Sequence, residues 1–360
     1  MQNRNKKPLI FVINPGGTST KIALFKGQTP VFSKDIEHSY NEIATFPDVY
    51  SQFDFRKKTI VTTLKSFNHT VKDIDVFIGR GGLLRPLPGG VYSVNRKMLS
   101  ELKTSTHGEH ASNLGAVLAH ELARAASAPA YIANPVVVDE MMPEASITGH
   151  PDMPRRSIFH ALSQKMVAEK ASTRLGMDYR KSRLIVAHAG TGVSVGTHRN
   201  GKVIDVNNAL EGDGPFSPER SGSLPLYEFY TYITQKKLTA PQVYKLITKQ
   251  SGLVAHLETN DCRKIEKRIA SGDRKANTVY NAFIIQTAKA IAAAAAVLSG
   301  NVHAIVLAGN VLKNRRFRNR LTSRIKFIAP VFVYTDNSEI QALAQAAYDA
   351  YIGARKVNEY

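Results

Sequence analysis

The chain has 360 residues, 43% of them apolar, with 24 glycines and 16 prolines, which suits a globular protein long enough for two domains, each with its own core. A single cysteine, Cys262, cannot close an internal disulfide, so a disulfide-built secreted scaffold is excluded and the thiol reads as structural. Lysine and arginine total 48 against 29 acidic residues, a formal charge of +19 whose field suits anionic small molecules, an anionic surface or nucleic acid.

The start, MQNRNKKPLIFVIN, carries an apolar run too short for a signal sequence and no cleavage site, and the apolar run at 290–298 is too short to span a bilayer. A cytoplasmic protein without membrane association is the expectation. An apolar strand over 9–13 leads into the turn Asn14-Pro15-Gly16-Gly17-Thr18-Ser19-Thr20, and a second strand runs over 21–25, followed by a third over 31–36. The region 41–67 is helical in parts, with Phe53, Ile60, Leu64 and Phe67 spaced for one face. A buried strand over 74–78 ends in Gly79-Arg80-Gly81-Gly82, the usual place for an active-site arginine in an α/β protein. A short strand at 91–94 and a helix over 113–126 follow. The stretch Asn134-Pro135-Val136-Val137-Val138-Asp139-Glu140 reads as a strand ending in two carboxylates, able to hold a metal, orient a nucleophile or cap the next element. Proline and glycine at 143–154 mark a domain boundary, giving domains 1–153 and 154–339.

A helix is expected from Arg156 to about Leu175, with His160 near its first turn, where the helix dipole disfavours imidazolium. Strand 184–187, the turn His188-Ala189-Gly190-Thr191-Gly192 and strand 193–196 repeat the N-terminal build, and a third strand follows the Asn200-Gly201 turn. Glycine turns between apolar strands bring backbone N–H groups against an anion, and two such units suggest a duplicated core facing one ligand, with phosphate the first candidate. The long polar loop 208–222 carries a second arginine, Arg220, and a loop of that length in a compact domain is usually functional. A small-residue helix spans 278–298, a core strand at 303–307 leads to Ala308-Gly309-Asn310, and the run 313–326 is strongly basic without a nucleic-acid motif. A strand at 331–334 and a closing helix at 340–352 complete the chain. No P-loop or dinucleotide spacing is present.

Glycine turns set inside hairpins resemble the acetate and sugar kinase, heat-shock ATPase and actin superfamily. Within it, Asn14-Pro15-Gly16-Gly17-Thr18-Ser19-Thr20-Lys21, Gly79-Arg80-Gly81-Gly82-Leu83-Leu84-Arg85-Pro86 and His110-Ala111-Ser112-Asn113-Leu114-Gly115-Ala116, continued by 135–140, 156–162 and 205–222, resemble the butyrate kinases of the acetokinase family over almost the whole chain. The resemblance implies two similar α/β domains of ribonuclease H-like (actin-like ATPase) build around a nucleotide cleft, with the closing helix 340–360 packed back on the first. It implies reversible phosphoryl transfer between ATP and a short-chain carboxylate, giving ADP and an acyl phosphate, with Mg²⁺ and a homodimer or higher homo-oligomer. Carried over by motif, Arg80 and Arg220 clamp the reacting anions, His160 and His188 donate to phosphoryl oxygens, and Asp139 orients the substrate or a metal-bound water. Asn14 and Glu339 hold the metal; Gly17, Thr18, Thr20 and Lys21 form the first phosphate loop, Gly190, Thr191 and Gly192 the second, and Gly309 and Asn310 the adenosine loop. Leu83, Leu84 and Phe159 are expected near the acyl chain. The family carries glycine where this chain has Thr191 and Asn310, and a more acidic run than Asp336-Asn337-Ser338-Glu339. A β-branched residue at 191 would narrow or strain its loop, so a second reading is a weakly active nucleotide-binding or regulatory protein, with binding of nucleic acid through the basic surface as its variant.

Overall fold

Short apolar segments form strands, and in the computed structural model, which describes residues 7–335 and 339–360, they assemble into two sheets. Residues Asp336, Asn337 and Ser338 of the terminal acidic motif lie outside the described residues, as do the first six. Contacts divide the chain into two units, Met1–Val138 with Ser338–Tyr360, and Asp139–Asn337.

The first unit holds β1 (Leu9–Pro15), β2 (Ser19–Lys26), β3 (Thr29–Glu37), β4 (Val76–Arg80), β5 (Val91–Ser93) and β6 (Ala130–Ala133). With the C-terminal strand Val357–Asn358 they form a seven-stranded sheet containing the run β6-β4-β1-β2-β3, which ends at the β3 edge and is parallel from β6 to β1 and antiparallel beyond. The second unit holds β7 (Arg183–Ala189), β8 (Val193–Arg199), β9 (Lys202–Val206), β10 (Ala304–Ala308) and β11 (Val331–Tyr334), ordered β11-β10-β7-β8-β9 with the same alternation of sense. The two orders correspond strand for strand, so the expected duplication extends to the topology of both sheets.

Both faces of each sheet are covered, which explains why the central strands read as unbroken apolar runs. On β7, Leu184 and Val186 pack with Val167, Ala168 and Ala171 of the helix Ala161–Arg174, while Ile185 and Ala187 join Phe283, Ile291 and Phe317 on the other face. In the first unit Phe11, Ile13, Ile22, Leu24, Phe77, Leu114 and Leu118 form the equivalent core. The helix Glu339–Tyr351 packs on β1 and β4.

Several expected boundaries move. The valine run 136–138 is not a strand: β6 ends at Ala133, Asn134 takes a left-handed φ of 39°, and its Oδ1 accepts from Gly90 N, turning the chain out of the sheet. The passage 143–154 lies inside the second unit rather than between units, because Met142 N bonds Ile204 O, and Arg155 bonds Ala145 O, Asp205, Val206 O and Asp213. Those anchors hold 155–158 out of helix, so the helix begins at Ala161 and not at Arg156. The small-residue helix starts at Arg274, which at 24 residues makes it long and apolar enough by composition to cross a membrane. It is a core element here, with Tyr280, Phe283, Ile284 and Ile291 at most 1% exposed. The basic run forms the helix Arg315–Ile325, whose Phe317, Leu321 and Ile325 are fully buried at i, i+4, i+8 spacing, so its arginines are the flanks of an amphipathic core helix.

Candidate active site

The first glycine turn is braced from beneath by a residue the apolar pattern hid. Arg56 lies on the stripe of Ile60 and Leu64 and has no exposed surface. Its Nε and Nη2 donate to Gln52 Oε1, its Nη1 to Ser19 O and Thr20 Oγ1, and its Nη2 also to Gly17 O. All of its guanidinium N–H groups are thereby satisfied. Burial brings its pKa down to about 10, so the cation persists at neutral pH directly under the loop. Phe67, expected on the stripe, is 39% exposed.

This bracing changes two assignments in the loop. Gly17 and Thr18 are exposed at its tip, but Thr20 is fully buried, bonded to Arg56 and to His38 Nε2 at 2.8 Å, and so braces the turn rather than lining it. Lys21 is on β2, paired with Asp35 at 3.4 Å in solvent, because period two turns it away from the loop. Elsewhere in this unit parallel pairing of β1 with β4 sets Asn14 beside Arg80. Glu339, at the start of its helix, receives Asn14 Nδ2 at 3.0 Å and Arg80 Nη1 at 3.0 Å. Leu83 and Leu84 are buried.

In the second unit, period two places Ser194, Gly196 and His198 on one face of β8, and Leu184, Val186 and His188 on the same face of β7, with His188 directly opposite Ser194. The N-terminal end of the helix Ala161–Arg174 covers that face. His160 is its N-cap residue, and Ser163 and Gln164 are in its first turn. The rings of His160 and His188 stack, centroids 4.0 Å apart and planes 15° apart. Each Nδ1 meets a serine: His160 with Ser194 Oγ at 2.8 Å, His188 with Ser163 Oγ at 2.9 Å. Burial, reinforced by the Lys165 charge, holds the fully enclosed His198 well below its usual pKa, so this ring is neutral. Lys165 is itself matched by Glu140 at 2.8 Å, both nearly enclosed, which makes Glu140 structural. Asp139 is partly exposed, and its Oδ1 accepts from Met141 N. Phe159 is buried.

The loop 208–222 is tied to the second glycine turn through Ser217, whose Oγ donates to Thr191 O and accepts from Arg220 N. Arg220 Nη1 donates to Ala209 O and lies against Gly192, where an added Cβ would stand 2.1 Å from that nitrogen. Neither Gly190, Thr191 nor Gly192 has positive φ, and Thr191 is exposed, so a β-branched residue fits the turn unstrained. In the other loop the constraint falls on Gly309, with φ of 101° and a would-be Cβ 2.3 Å from Ala189 O. Asn310 has no left-handed backbone and is exposed. Cys262 is buried and its thiol is pushed up to about 12 by burial, in keeping with a structural role.

Sequence reading missed Arg56, Ser163, Gln164, Tyr179, Ser194 and His198. The signals were present as a charge at a stripe position, the i, i+4 pair 160 and 164, and the period-two series 194, 196, 198. Among the described residues no three His, Cys, Asp or Glu side chains gather as a metal cluster. Asn14 and Glu339 offer a carbonyl oxygen and a carboxylate, which fits Mg²⁺, a cation that takes one or two protein oxygens and fills its shell with water and phosphate.

The fold class is that of the acetate and propionate kinases. Acetate kinase from Porphyromonas gingivalis superposes with a TM-score of 0.77 at 20% identity, covering 94% of this chain and 98% of that one. A propionate kinase from Francisella tularensis gives 0.75 at 18%, covering 95% and 99%. The acetokinase family model matches residues 150–354. Butyrate kinase 2 of Clostridium acetobutylicum is 45% identical over 351 residues, 98% of this chain and 99% of the relative, and a probable butyrate kinase of Listeria welshimeri is 42% identical over the same shares. The chain belongs to the acetokinase family.

Three outcomes follow from this geometry. Gly192→Ala displaces the Arg220 guanidinium and presses on Ala209 O, where the added Cβ would stand 3.0 Å away, so kcat/KM for phosphoryl transfer falls about 100-fold. Arg56→Met strands the carbonyls of Gly17 and Ser19 and lowers the unfolding free energy by about 3 kcal/mol, measured by urea titration; a loss under about 1 kcal/mol would show that the brace is dispensable. Because the folded-state pKa of His198 is depressed, the unfolded chain binds more protons below the ordinary histidine pKa of 6.5, and stability falls as pH drops from there toward the folded value. That single group contributes a slope of about 1.4 kcal/mol per pH unit, which His198→Gln removes.

Proposed function

We propose that the protein transfers the γ-phosphoryl group of ATP reversibly to the carboxylate of a short fatty acid, butyrate or a near homologue. The observation that carries this reading is the 45% identity to butyrate kinase 2 across 98% of the chain. The site chemistry supports it. A carboxylate is already a nucleophile, so the obstacle is repulsion between two anions, and what is required is positive charge and N–H donors rather than a strong base. Groups of that kind are present within each unit: Arg220 and two imidazoles held at Nδ1 in the second, and Arg80 in the first.

Arg220 and Arg80, with planar forks suited to carboxylate and phosphate, clamp the acceptor and the phosphoryl group. His160 and His188 donate to its equatorial oxygens, and Asp139 orients the acid. Gly17 and Thr18 cradle phosphate from the first turn, Gly190, Thr191 and Gly192 from the second, and Gly309 and Asn310 line the adenosine path. Asn14 and Glu339 would hold Mg²⁺, which would supply neutralising charge to the phosphates; Arg80 would exchange its bond to Glu339 for one to the substrate. A partly exposed ion pair of this kind is worth about 1 kcal/mol or less, so the exchange is cheap. A cytoplasmic homo-oligomer belongs to the same reading, and the helix Leu226–Gln235, with Leu226 84% and Tyr227 77% exposed, offers apolar surface for the assembly. Of the three features behind the non-catalytic reading, Thr191, Asn310 and the positive charge, the first two do not strain their turns.

Purified protein with Mg·ATP, hydroxylamine and a series of C2 to C6 acids tests the proposal. Hydroxamate should form, with kcat/KM rising about fourfold per methylene (about 0.8 kcal/mol) up to the length the pocket accepts, and falling beyond it. No hydroxamate above a blank with any acid overturns the reading.

A further inference from the structure

Beneath the stacked imidazoles runs a chain of side chains that the phosphoryl-transfer scheme does not use. Tyr179 Oη meets His198 Nδ1 at 2.8 Å, His198 Nε2 meets Gln164 Oε1 at 3.0 Å, Gln164 Nε2 meets Ser194 Oγ at 2.7 Å, and Ser194 Oγ meets His160 Nδ1 at 2.8 Å. Gln164, Ser194 and His198 have no exposed surface.

One member has no choice of role and sets the direction of all the others. The carbonyl of Ser194 can only accept, and it receives Gln164 Nε2 at 3.2 Å, which fixes the amide nitrogen on that side and the amide oxygen toward His198. His198 must then donate from Nε2. Being neutral, it carries a lone pair on Nδ1, which accepts from the Tyr179 hydroxyl. In the other direction, Ser194 Oγ takes a hydrogen from Gln164, and its own buried hydrogen has His160 Nδ1 as its acceptor. Nδ1 of His160 is thus a lone pair, and the ring proton sits on Nε2.

Gly196 is part of the same device. It lies between Ser194 and His198 on the face of β8, and a Cβ there would stand 2.3 Å from Gln164 Oε1 and 3.2 Å from His198 Nε2. Any side chain at 196 breaks the link on which the polarity depends. The helix N-terminus at His160 works in the same sense, since its positive end disfavours imidazolium and leaves the neutral ring.

We propose that Gln164, acting through Ser194 and oriented by His198, is a positioning residue that fixes His160 as the Nε2–H tautomer, so that a neutral ring presents an N–H rather than a lone pair to the transferring phosphoryl group. The catalytic consequence rests on the reading of His160 as a phosphoryl donor; the tautomer itself does not.

Two readouts separate those parts. In protein labelled with ¹⁵N-histidine, with the His160 ring assigned by loss of its signals in His160→Gln, wild type should show Nδ1 unprotonated and Nε2 protonated at neutral pH. Gln164→Glu keeps the volume but gives the series a group that only accepts. It draws the Ser194 hydrogen away from His160, so Nδ1 must carry the proton, and kcat should fall at least 100-fold with KM for the acid changed less than threefold. Ser194→Ala, which removes the donor without adding a charge and serves if the glutamate variant does not fold, should lower kcat about tenfold and leave both tautomers visible. An Nδ1–H ring in wild type overturns the proposal whatever the activity. So does an unchanged His160 tautomer in both folded variants, or in Ser194→Ala alone if only that folds. If the tautomer shifts as stated while wild type phosphorylates no carboxylate, the positioning holds and the reading of the reaction fails.

Discussion

Two imidazole rings stacked 4.0 Å apart, each tied at Nδ1 by a serine, are the contact on which the site of the second unit depends. Were both rings charged, their repulsion at that separation would be about 4 kcal/mol at an effective dielectric of about 20. The serines and the helix end resolve the conflict by leaving at least one ring neutral with its proton on Nε2. A neutral N–H is a suitable donor to a phosphoryl group whose charge spreads over its oxygens, because it offers a hydrogen bond without competing as an acid. The geometry therefore belongs to a reaction that requires directed donors and no strong base.

That contact sits on one of two sheets that share a topology. Each unit runs three antiparallel strands into two parallel ones, and each presents a glycine turn between its first two strands. The copies have diverged in how the turn is supported. The first is held from beneath by a buried arginine whose hydrogen bonds go mainly to carbonyl and amide oxygens. The second is held from the side by Ser217 and by Arg220 lying against Gly192. In both cases a cation sits beside a turn suited to anions.

Much of this was legible in the sequence, and the exceptions share a cause. Strands β7 and β8, the Asn200-Gly201 turn and the helix at 113–126 follow from period and turn chemistry, which are local. Family motifs brought in Arg80, His160, His188 and Arg220, and the fold sets each of them at a strand end, a helix cap or a loop tied to a turn. What stayed hidden depends on which face meets which. The series 194, 196 and 198 is readable as one face of a strand, and 160 with 164 as one face of a helix, but their meeting is a tertiary fact. Arg56 escaped because a charge on an apolar stripe looks like an interruption until its partners are known. The valine run at 136–138 misled because the left-handed Asn134 and its bond to Gly90, a long-range contact, remove it from the sheet.

In the proposed reaction a carboxylate oxygen attacks the γ-phosphorus of ATP. The most direct measurement follows that oxygen: butyrate labelled with ¹⁸O in its carboxylate is converted in the presence of Mg·ATP and hydroxylamine, and the released phosphate is examined by ³¹P NMR. Attack at phosphorus puts a carboxylate oxygen in the bridge of the acyl phosphate, and hydroxylamine cleaves at the acyl carbon, so inorganic phosphate should carry one ¹⁸O. Label found in AMP, or phosphate released without label, would contradict the account.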